Sequence, residues 1–272
     1  MRVDKTERYL FTESGLTALR SYVGCTTLFA FDLDGTLAPI AAAPQDILVS
    51  ETTREELALL VAHASVAIIT GRSRKDAQAH LGIVPQFLVG NHGAEGLPGW
   101  EKQEKGFSRI CMSWEQQLEK ILPPEHISGI CIENKGTTLS IHYRAAPSRR
   151  KAQSFILRGI DSLLPRPRLV TGKLVENLLP ENAPDKGAAM LHLLELTKSP
   201  KGFYVGDDAT DEEVFRLDGD GLFTVGVGRR RMTKARYELR NQTDIIRLLR
   251  EINQVLSPPS SRISRHSHPS KV

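Results

Sequence analysis

The sequence predicts an α/β fold, with a Rossmann-like parallel-sheet core that carries helices on both faces and a smaller inserted α+β cap. Towards both ends of the chain, short apolar runs alternate with helical stretches, as in parallel sheets joined by crossover helices. The middle instead has two strand-like runs, a helix and another strand, which suit a compact α+β unit. We expect residues 1–97 and 177–256 to form the core and residues 98–176 the cap.

The elements of the first half follow from apolar runs and capping residues. Ser50 precedes a helical pattern and is a suitable N-cap. The predicted strands are 27–31, 66–69 and 87–89, and the predicted helices are 51–63 and 74–81.

The cap and the second half of the core are predicted in the same way. In the cap we expect a helix over 114–122, strands over 129–134 and 137–144 around a Lys135–Gly136 turn, a helix over 148–164 and one strand over 168–175. In the core, Pro184–Gly187 opens a helix that continues through 188–196. Strands at 202–205 and 222–227 and helices at 209–217 and 243–255 complete it.

Composition restricts the class of protein. Of the 272 residues, 40% are hydrophobic and 25% are charged, which is ordinary for a globular chain. No apolar run reaches the length of about 18 residues that spans a membrane, and the charged N-terminal segment lacks the apolar centre of a secretory signal. We therefore expect a cytoplasmic protein, a monomer with no membrane partner. Cys25, Cys111 and Cys131 are too few and too scattered for a disulfide framework or a zinc site.

The positive charge gives little support to nucleic-acid binding. The net charge is +4, and Arg262, Arg265 and Lys271 of the C-terminal tail supply three of these charges. The tail, residues 257–272, is rich in Ser, Pro and His, so we expect it to be disordered. Arg229–Arg231 with Lys234 and Arg236 form the basic cluster of the remaining chain. This cluster suits a solvated helix start, or a weak attraction for an anionic substrate.

Acidic and hydroxyl side chains follow several predicted strands. Asp32 and Asp34 come after the first strand, Thr70 after the second, and Asp207 with Asp208 after a late one. Ligands of open parallel sheets bind outside the carboxyl ends of the strands, so these groups should meet at one edge. Clustered carboxylates need a cation when ionised, and a few hard oxygen ligands suit Mg²⁺.

This set of side chains is suited to phosphoryl transfer. A carboxylate beside a Mg²⁺-bound phosphate can attack phosphorus, while Lys186 and the Thr70 hydroxyl supply a cation and a donor. Gly35 and Gly71 let backbone N–H groups approach the anion. Each feature alone has a plainer interpretation as a turn, a helix cap or a favourable charge at a helix start. Their combination and order make the sequence specific for this chemistry.

The same residues carry a family resemblance. Asp32–Thr36, Thr70–Arg72, Lys186 and Gly206–Glu212 resemble the four motifs of the haloacid dehalogenase superfamily, in order over about residues 25–255. Within it the sequence is most similar to the trehalose-6-phosphate phosphatases, on the strings 90–95, 133–135, 142–144 and 206–212.

The resemblance implies magnesium-dependent hydrolysis of trehalose 6-phosphate, a step of trehalose biosynthesis. It makes Asp32 the nucleophile, Asp34 the general acid and base, and Thr70 and Lys186 the groups that bind the phosphoryl group. It assigns Mg²⁺ to Asp32, the Asp34 carbonyl and Asp207, supported by Asp208 and Asp211. It assigns sugar binding, under a closing cap, to a set from both domains: Arg72, Asn91, His92, Glu95, Glu133, Lys135, His142 and Arg144. From the residues alone, Glu133 and Lys135 are equally well explained as an ion pair at a hairpin.

One segment departs from the resemblance. The cap of these phosphatases usually ends in a string with a glutamate and a basic residue, where this chain has Asn177 and Leu179. Glu176 would point the other way in an extended strand, because strand faces alternate. The departure bears on the identity of the sugar more than on the reaction.

Other functions stay open from sequence. A phosphatase for another glycoside, such as sucrose phosphate or a glucosylglycerol phosphate, keeps the mechanism and changes the sugar. A sugar phosphomutase shares the first motif, but the string 206–212 argues against it. A catalytically silent sugar-phosphate sensor would bind the ligand without turning it over.

Overall fold

The computed structural model describes residues 8–41, 44–122, 128–217, 219, 221–228 and 232–257. Within these residues lie eight α-helices and ten strands, besides short 3₁₀ turns. The strands are β1 (Thr27–Phe31), β2 (Ser65–Ile69), β3 (Phe87–Val89), β4 (Cys131–Asn134), β5 (Leu139–His142), β6 (Arg168–Gly172), β7 (Val175–Leu179), β8 (Lys201–Gly206), β9 (Leu222–Val227) and β10 (Tyr237–Leu239). The helices are α1 (Glu13–Tyr22), α2 (Glu51–His63), α3 (Arg74–Leu81), α4 (Glu101–Ile121), α5 (Arg149–Ile160), α6 (Lys186–Thr197), α7 (Glu212–Phe215) and α8 (Asp244–Leu256).

The larger sheet has six strands in the order β10-β9-β8-β1-β2-β3, and every neighbouring pair is parallel. Side chains of β1 alternate between two apolar layers: Phe29 and Phe31 face the layer of α1, α2, α3 and α8, whereas Leu28 and Ala30 face that of α6 and α7. Burial on both faces explains why β1 is a continuous apolar run. The predicted α/β core with helices on both faces is confirmed.

Helix starts in the core follow the capping rules. The Ser50 hydroxyl accepts a hydrogen bond from the backbone N–H of Thr53 at 3.2 Å, as predicted. Asp185 caps α6 in the same way, accepting from the N–H of Ala188 at 2.7 Å. This cap makes Lys186 the first residue of α6.

The second sheet has four antiparallel strands in the order β4-β5-β7-β6. Helices α4 and α5 cover one face of it, where Trp114 and Ile156 pack with Ile141 and Leu178. This separate α+β layer is the predicted cap.

The prediction of a single strand over 168–175 was wrong. The segment forms two strands, β6 and β7, joined by the tight turn Lys173–Leu174, in which Leu174 has a φ of 63°. A non-glycine residue in the left-handed region carries no marker in the sequence, so the apolar run looked continuous. Because β7 pairs within the cap sheet up to Leu179, it crosses the predicted boundary between residues 176 and 177. The division into 1–97, 98–176 and 177–256 otherwise stays a prediction.

Other differences concern the extent of the elements: the helix predicted over 114–122 is α4, which begins thirteen residues earlier, at Glu101. Helix α1 and strand β10 were not predicted, and the predicted helix over 209–217 is a 3₁₀ turn followed by the short α7. In the part of the chain that the structure describes, no helix is both long enough and apolar enough to cross a bilayer. Cys25, Cys111 and Cys131 are free thiols, as expected. The tail beyond Ser257 and Arg229–Arg231 lie outside the described residues.

Candidate active site

The carboxyl ends of three adjacent strands bring the predicted catalytic groups together. Asp32 follows β1, Thr70 follows β2 and Asp207 follows β8, and β1 lies between the other two. The backbone N–H of Asp32 still donates to the Val205 carbonyl at 2.9 Å, so the sheet ladder fixes the residue. Asp32 is 4% exposed and Thr70 is fully buried.

Lys186 enters this edge from the start of α6. Its ammonium Nζ lies 3.1 Å from Asp32 Oδ1 and 2.7 Å from Asp211 Oδ1, and the residue is 1% exposed. Burial disfavours the charged lysine, but Asp211 and Asp32 outweigh it and raise the pKa of Lys186 above its usual value. Burial, together with Asp211, Asp207 and Asp34, raises the pKa of Asp32 well above its usual range, although Lys186 opposes this.

A group of carboxylates at this edge fits a small cation. Asp32, Asp207 and Asp211 each offer an oxygen, and these oxygens lie within 4.8 Å of one another. Gly35, with a φ of 78°, lets the loop after β1 approach closely, because a Cβ there would lie 2.2 Å from Asp207 Oδ2. An all-oxygen, acidic donor set is what hard divalent cations prefer, so the residues present fit such an ion.

Asp211 is held in place by its neighbours. Its Oδ1 accepts from the buried Tyr204 hydroxyl at 2.8 Å as well as from Lys186, and its Oδ2 accepts from the Asp208 backbone N–H at 2.7 Å. Burial and then the charge of Asp211 raise the pKa of Tyr204 well above its usual value, so the hydroxyl stays a donor. With both oxygens occupied, Asp211 is suited to supporting the cluster. The strand pattern gave no sign that Tyr204 contacts it.

Arg72 is engaged by two acids. Its Nε and Nη2 donate to the two oxygens of Asp34 at 2.6 and 2.7 Å, and its Nη1 donates to Asp76 Oδ2 at 2.6 Å. The bidentate contact is the strong form of a charge-assisted hydrogen bond and defines where the Asp34 carboxylate lies. Asp76, four residues after Arg72 and in the first turn of α3, was not singled out from sequence, although the i,i+4 spacing was visible.

The loop after β3 links the core to the cap. Asn91 is fully buried in a left-handed conformation, and its Nδ2 donates to the Lys135 carbonyl at 3.1 Å and Thr137 Oγ1 at 2.9 Å in the cap. The same nitrogen lies 3.0 Å from Glu95 Oε2, which also accepts from the Arg74 backbone N–H. Asn91 and Glu95 therefore serve a core–cap joint here, and their predicted contact with sugar stays a prediction.

His92 lies at the centre of this joint. It adopts a φ of 60°, and its ring packs over Gly71, where a Cβ would approach ring atom Cε1 to 2.5 Å. Burial, followed by the charges of Lys186, Lys135 and Arg168, lowers the pKa of His92 to about 3. Its Nδ1 is buried and has no hydrogen-bond partner among the residues described. The imidazole of His92 is therefore neutral near pH 7, with one buried nitrogen free to take a hydrogen bond.

Of the four cap residues predicted to bind sugar, three form one cluster and Arg144 lies apart from it. Glu133 Oε2 lies 2.8 Å from His142 Nε2 and 3.9 Å from Lys135 Nζ. Burial lowers the pKa of Lys135, and Glu133, Arg72, Asp76 and Asp34 all act on its charge, so this lysine lies near the core site. Arg144 is exposed, two residues beyond β5.

The departure at the end of the cap is clarified by the register of β7. Glu176 is fully buried on the helix-covered face and accepts from Tyr143 and Gln153 at its Oε1 and from Thr171 at its Oε2. Asn177 lies on the opposite face and accepts from the Ser140 hydroxyl at 2.6 Å. The prediction that Glu176 points away from the face of Asn177 is confirmed.

Comparison with known proteins is consistent with this geometry. The sequence model of the Trehalose-phosphatase family matches residues 30–221, which is most of the chain and includes the whole acidic cluster. The chain belongs to the trehalose-phosphatase family. The matched range contains Asp32, Thr70, Lys186 and Asp207.

Relatives of the family resemble this chain over most of its length. Trehalose-phosphate phosphatase B of Arabidopsis thaliana is 26% identical over 243 residues, covering 81% of this chain and 64% of that protein. This chain spans 58–66% of the length of such curated relatives. The solved trehalose-6-phosphate phosphatase of Aspergillus fumigatus is 25% identical, with a TM-score of 0.58, over 93% of this chain and 98% of that one. A trehalose-6-phosphate phosphatase related protein, at 22% identity and a TM-score of 0.65, covers 84% of this chain and 98% of its own. It shares the fold, which is that of the haloacid dehalogenase phosphatases.

Proposed function

We propose that this chain hydrolyses trehalose 6-phosphate to trehalose and inorganic phosphate through an aspartyl-phosphate on Asp32. The observation that carries the proposal is the buried Asp32–Lys186–Asp211 cluster at the strand ends of a chain from the trehalose-phosphatase family. A carboxylate this deeply buried beside a lysine suits nucleophilic attack in a site that excludes water.

In the first step an oxygen of Asp32 attacks phosphorus. The bond between phosphorus and the sugar oxygen breaks, and that oxygen takes a proton from the carboxyl group of Asp34. Lys186 and the Thr70 hydroxyl stabilise the phosphoryl oxygens as charge shifts towards the leaving group. Arg72 contacts both oxygens of Asp34, so one of these contacts must be released for Asp34 to carry the proton that it donates.

In the second step Asp34, now a carboxylate, takes a proton from water. The resulting hydroxide attacks phosphorus, the bond to Asp32 breaks, and phosphate leaves with Asp32 restored as a carboxylate. The same side chain thus serves first as acid and then as base, which requires that it stay close to the reacting phosphorus in both steps.

We propose Mg²⁺ as the cation. Asp32, Asp207 and the Asp34 backbone carbonyl would hold it, with Asp208 and Asp211 as supporting residues. When bound, it supplies positive charge that keeps Asp32 ionised and neutralises phosphoryl oxygens. The occupied oxygens of Asp211 support its outer role.

The cap would select the sugar. Lys135 and the Glu133–His142 pair approach the core site from the cap, while His92 approaches from the core, and Asn91 and Glu95 connect the two. We propose that sugar hydroxyls exchange with these contacts when substrate binds. Arg144 would act at the rim. We further propose that the protein acts as a monomer in the cytoplasm, which light scattering and cell fractionation test.

The test is phosphate release by the purified protein with Mg²⁺. Trehalose 6-phosphate is compared with sucrose 6-phosphate, glucosylglycerol phosphate and glucose 6-phosphate, with Asp32→Asn as the variant. We expect selective release from trehalose 6-phosphate, its loss in the variant, and its loss when EDTA removes the metal. Retention of the phosphate on a rearranged sugar would show a mutase instead.

A second candidate is a phosphatase for another glycoside. Asn177 and Leu179 favour it, because a neutral amide bonded to Ser140 recognises hydroxyls differently from a carboxylate. Release from sucrose phosphate or glucosylglycerol phosphate alone would keep the mechanism and change the sugar. Binding of trehalose 6-phosphate without release from any ester would make the chain a sensor.

A further inference from the structure

Arg168 connects the cap to the segment that carries Lys186. It lies on the cap strand β6, and its Nη2 donates to the carbonyl oxygens of Ala183 at 2.9 Å and Pro184 at 3.3 Å in the core. These carbonyls lead directly into Asp185, the N-cap of α6, and then into Lys186. Arg168 therefore contacts the core within three residues of the lysine that pairs with Asp32, beside Phe107 of α4, which packs with Ala183.

The start of α6 is enclosed on its other sides. A Cβ at Gly93 would come within 2.6 Å of the Asp185 carbonyl oxygen and 2.9 Å of the Pro184 carbonyl oxygen, so the loop after β3 packs directly on this segment. The backbone N–H of Lys186 donates to Glu213 Oε2 at 3.1 Å. The loop after β3 and α7 therefore hold the segment from within the core, and Arg168 holds it from the cap.

The position of the Arg168 guanidinium between cap and core includes one unfavourable feature. Its Nε is buried without a hydrogen-bond partner among the described residues. Burying an unsatisfied donor is unfavourable, and such groups in native structures often mark a functional constraint. The charge of Arg168 also reaches His92 and Glu213, which places it beside the site.

We propose that Arg168 is a positioning residue that couples closure of the cap to the placement of Lys186, an inference that rests on the phosphatase function proposed above. The contact joins the cap sheet to the segment that leads from β7 into α6, so a movement of the cap that separates the two breaks it. When the cap moves away, the Ala183 and Pro184 carbonyls lose their cap donor and the start of α6 is less constrained. Lys186 is then held in line with Asp32 only while the cap lies against the core.

The register of the cap sheet identifies a second position, on β7, from which a positive charge can reach the same loop as Arg168. Leu179 of β7 lies directly opposite Arg168 and on the same face of the sheet. It is also the position where the resemblance predicted a basic residue. A cation on either strand would approach the same loop, because Pro180 follows Leu179 and its carbonyl accepts from the Ala183 backbone N–H. The neighbouring strand therefore supplies the basic group that β7 lacks.

The experiment compares the full chain with Arg168→Gln, Arg168→Lys and the double variant Arg168→Gln/Leu179→Arg. Steady-state kinetics use trehalose 6-phosphate with Mg²⁺. We expect Arg168→Gln to lower kcat about ten- to a hundredfold, the worth of a charge-assisted hydrogen bond, with KM changed less than threefold or so. Arg168→Lys and the double variant should each recover part of kcat.

Amide hydrogen exchange over residues 181–189, without substrate, gives a second measurement that does not depend on activity. Faster exchange in Arg168→Gln, reversed in the double variant, supports the coupling. Unchanged exchange or an unchanged kcat overturns the proposed coupling. An increase in KM alone also overturns it, because Arg168 would then contact the sugar. If the wild type releases no phosphate, the proposed function fails while the exchange result still decides the coupling. Should Arg168→Gln not fold, Arg168→Lys carries both measurements.

Discussion

At the scale of single residues, the site depends on charges buried together rather than on any one group. Lys186 is stable as a buried cation because Asp32 and Asp211 both contact it, and Asp211 is in turn fixed by Tyr204 and Asp208. Removing one charged member of such a cluster leaves a buried charge with fewer partners, which is more destabilising than the loss of a single hydrogen bond. Substitutions that remove a charge from the cluster should therefore lower the free energy of unfolding more than substitutions that remove only a hydrogen bond.

Asp211→Asn removes a charge and Tyr204→Phe removes only a hydroxyl. We expect Asp211→Asn to lower the free energy of unfolding by about 3–5 kcal/mol and Tyr204→Phe by about 1.5–3 kcal/mol. Urea unfolding in the presence of EDTA measures both without the contribution of bound metal. Equal losses would mean that the charge of Asp211 matters less than its hydrogen bonds.

His92 predicts a dependence of stability on pH. Its pKa falls from 6.5 to about 3 on folding, so below pH 6.5 the unfolded chain binds a proton that the folded chain does not. Stability from this group is present above pH 6.5 and is lost as the pH falls towards 3. Between pH 7 and pH 5 we expect the wild type to lose about 1–2 kcal/mol more than His92→Asn, which tolerates the left-handed backbone.

The measurement is urea unfolding at several pH values between 5 and 7. His63→Asn is the matched control, because His63 is exposed on α2, and its pH dependence should follow that of the wild type. If His92→Asn has the same pH dependence as the wild type, the pKa of His92 does not change on folding.

At the scale of elements, helix starts illustrate how far local sequence decides structure. Ser50, Ser73 and Asp185 cap α2, α3 and α6 with side-chain hydrogen bonds, whereas Ser148 precedes α5 without one. Serine and aspartate are both favoured N-caps, so sequence alone does not separate these four positions. The bounds of α2 and α3 were predicted correctly, while α5 ends four residues earlier than expected.

Ser50→Ala and Ser148→Ala form a matched pair. Ser50→Ala should cost about 1 kcal/mol, because the N–H of Thr53 loses its acceptor, while Ser148→Ala should cost only a few tenths. Thermal unfolding of both variants measures the difference. A comparable cost at Ser148 would show that its hydroxyl caps α5 in solution.

At the scale of the whole molecule, polar contacts and the apolar packing of Phe107 on Ala94 and Ala183 join the cap to the core. Asn91 reaches Lys135 and Thr137, and Arg168 reaches Ala183 and Pro184. Each bond contributes about 1 kcal/mol net, which suits a joint that opens and closes rather than a permanent interface. Lids with such joints commonly admit substrate and then exclude water.

Asn91→Gly removes the hydrogen bonds to Lys135 and Thr137 and keeps a residue that accepts a φ of 50°. We expect faster amide exchange in residues 135–138 and a KM for the sugar phosphate raised about tenfold, because the cap closes less readily. Thr137→Val, which removes one acceptor of Asn91, is the milder control. Unchanged exchange in Asn91→Gly would mean that other contacts hold the cap.

The sequence by itself determined the parallel core and the chemistry at its edge. Apolar runs buried on both faces mark β1, β2 and β3 whatever surrounds them, and polar residues that directly follow such strands must collect at the same edge. Alternation along β7 was also sufficient to place Glu176 and Asn177 on opposite faces. These features depend only on local periodicity and on the geometry of a parallel sheet.

The tertiary structure decided which distant residues meet. Tyr204 on Asp211, Thr137 on Asn91 and Arg168 at the start of α6 are pairs across elements or domains, and no local pattern encodes them. The hairpin of β6 and β7 depends on Leu174 adopting a left-handed conformation, which the pairing of the two strands stabilises. Local periodicity reports on the face that a residue occupies, whereas partners are set by packing between faces.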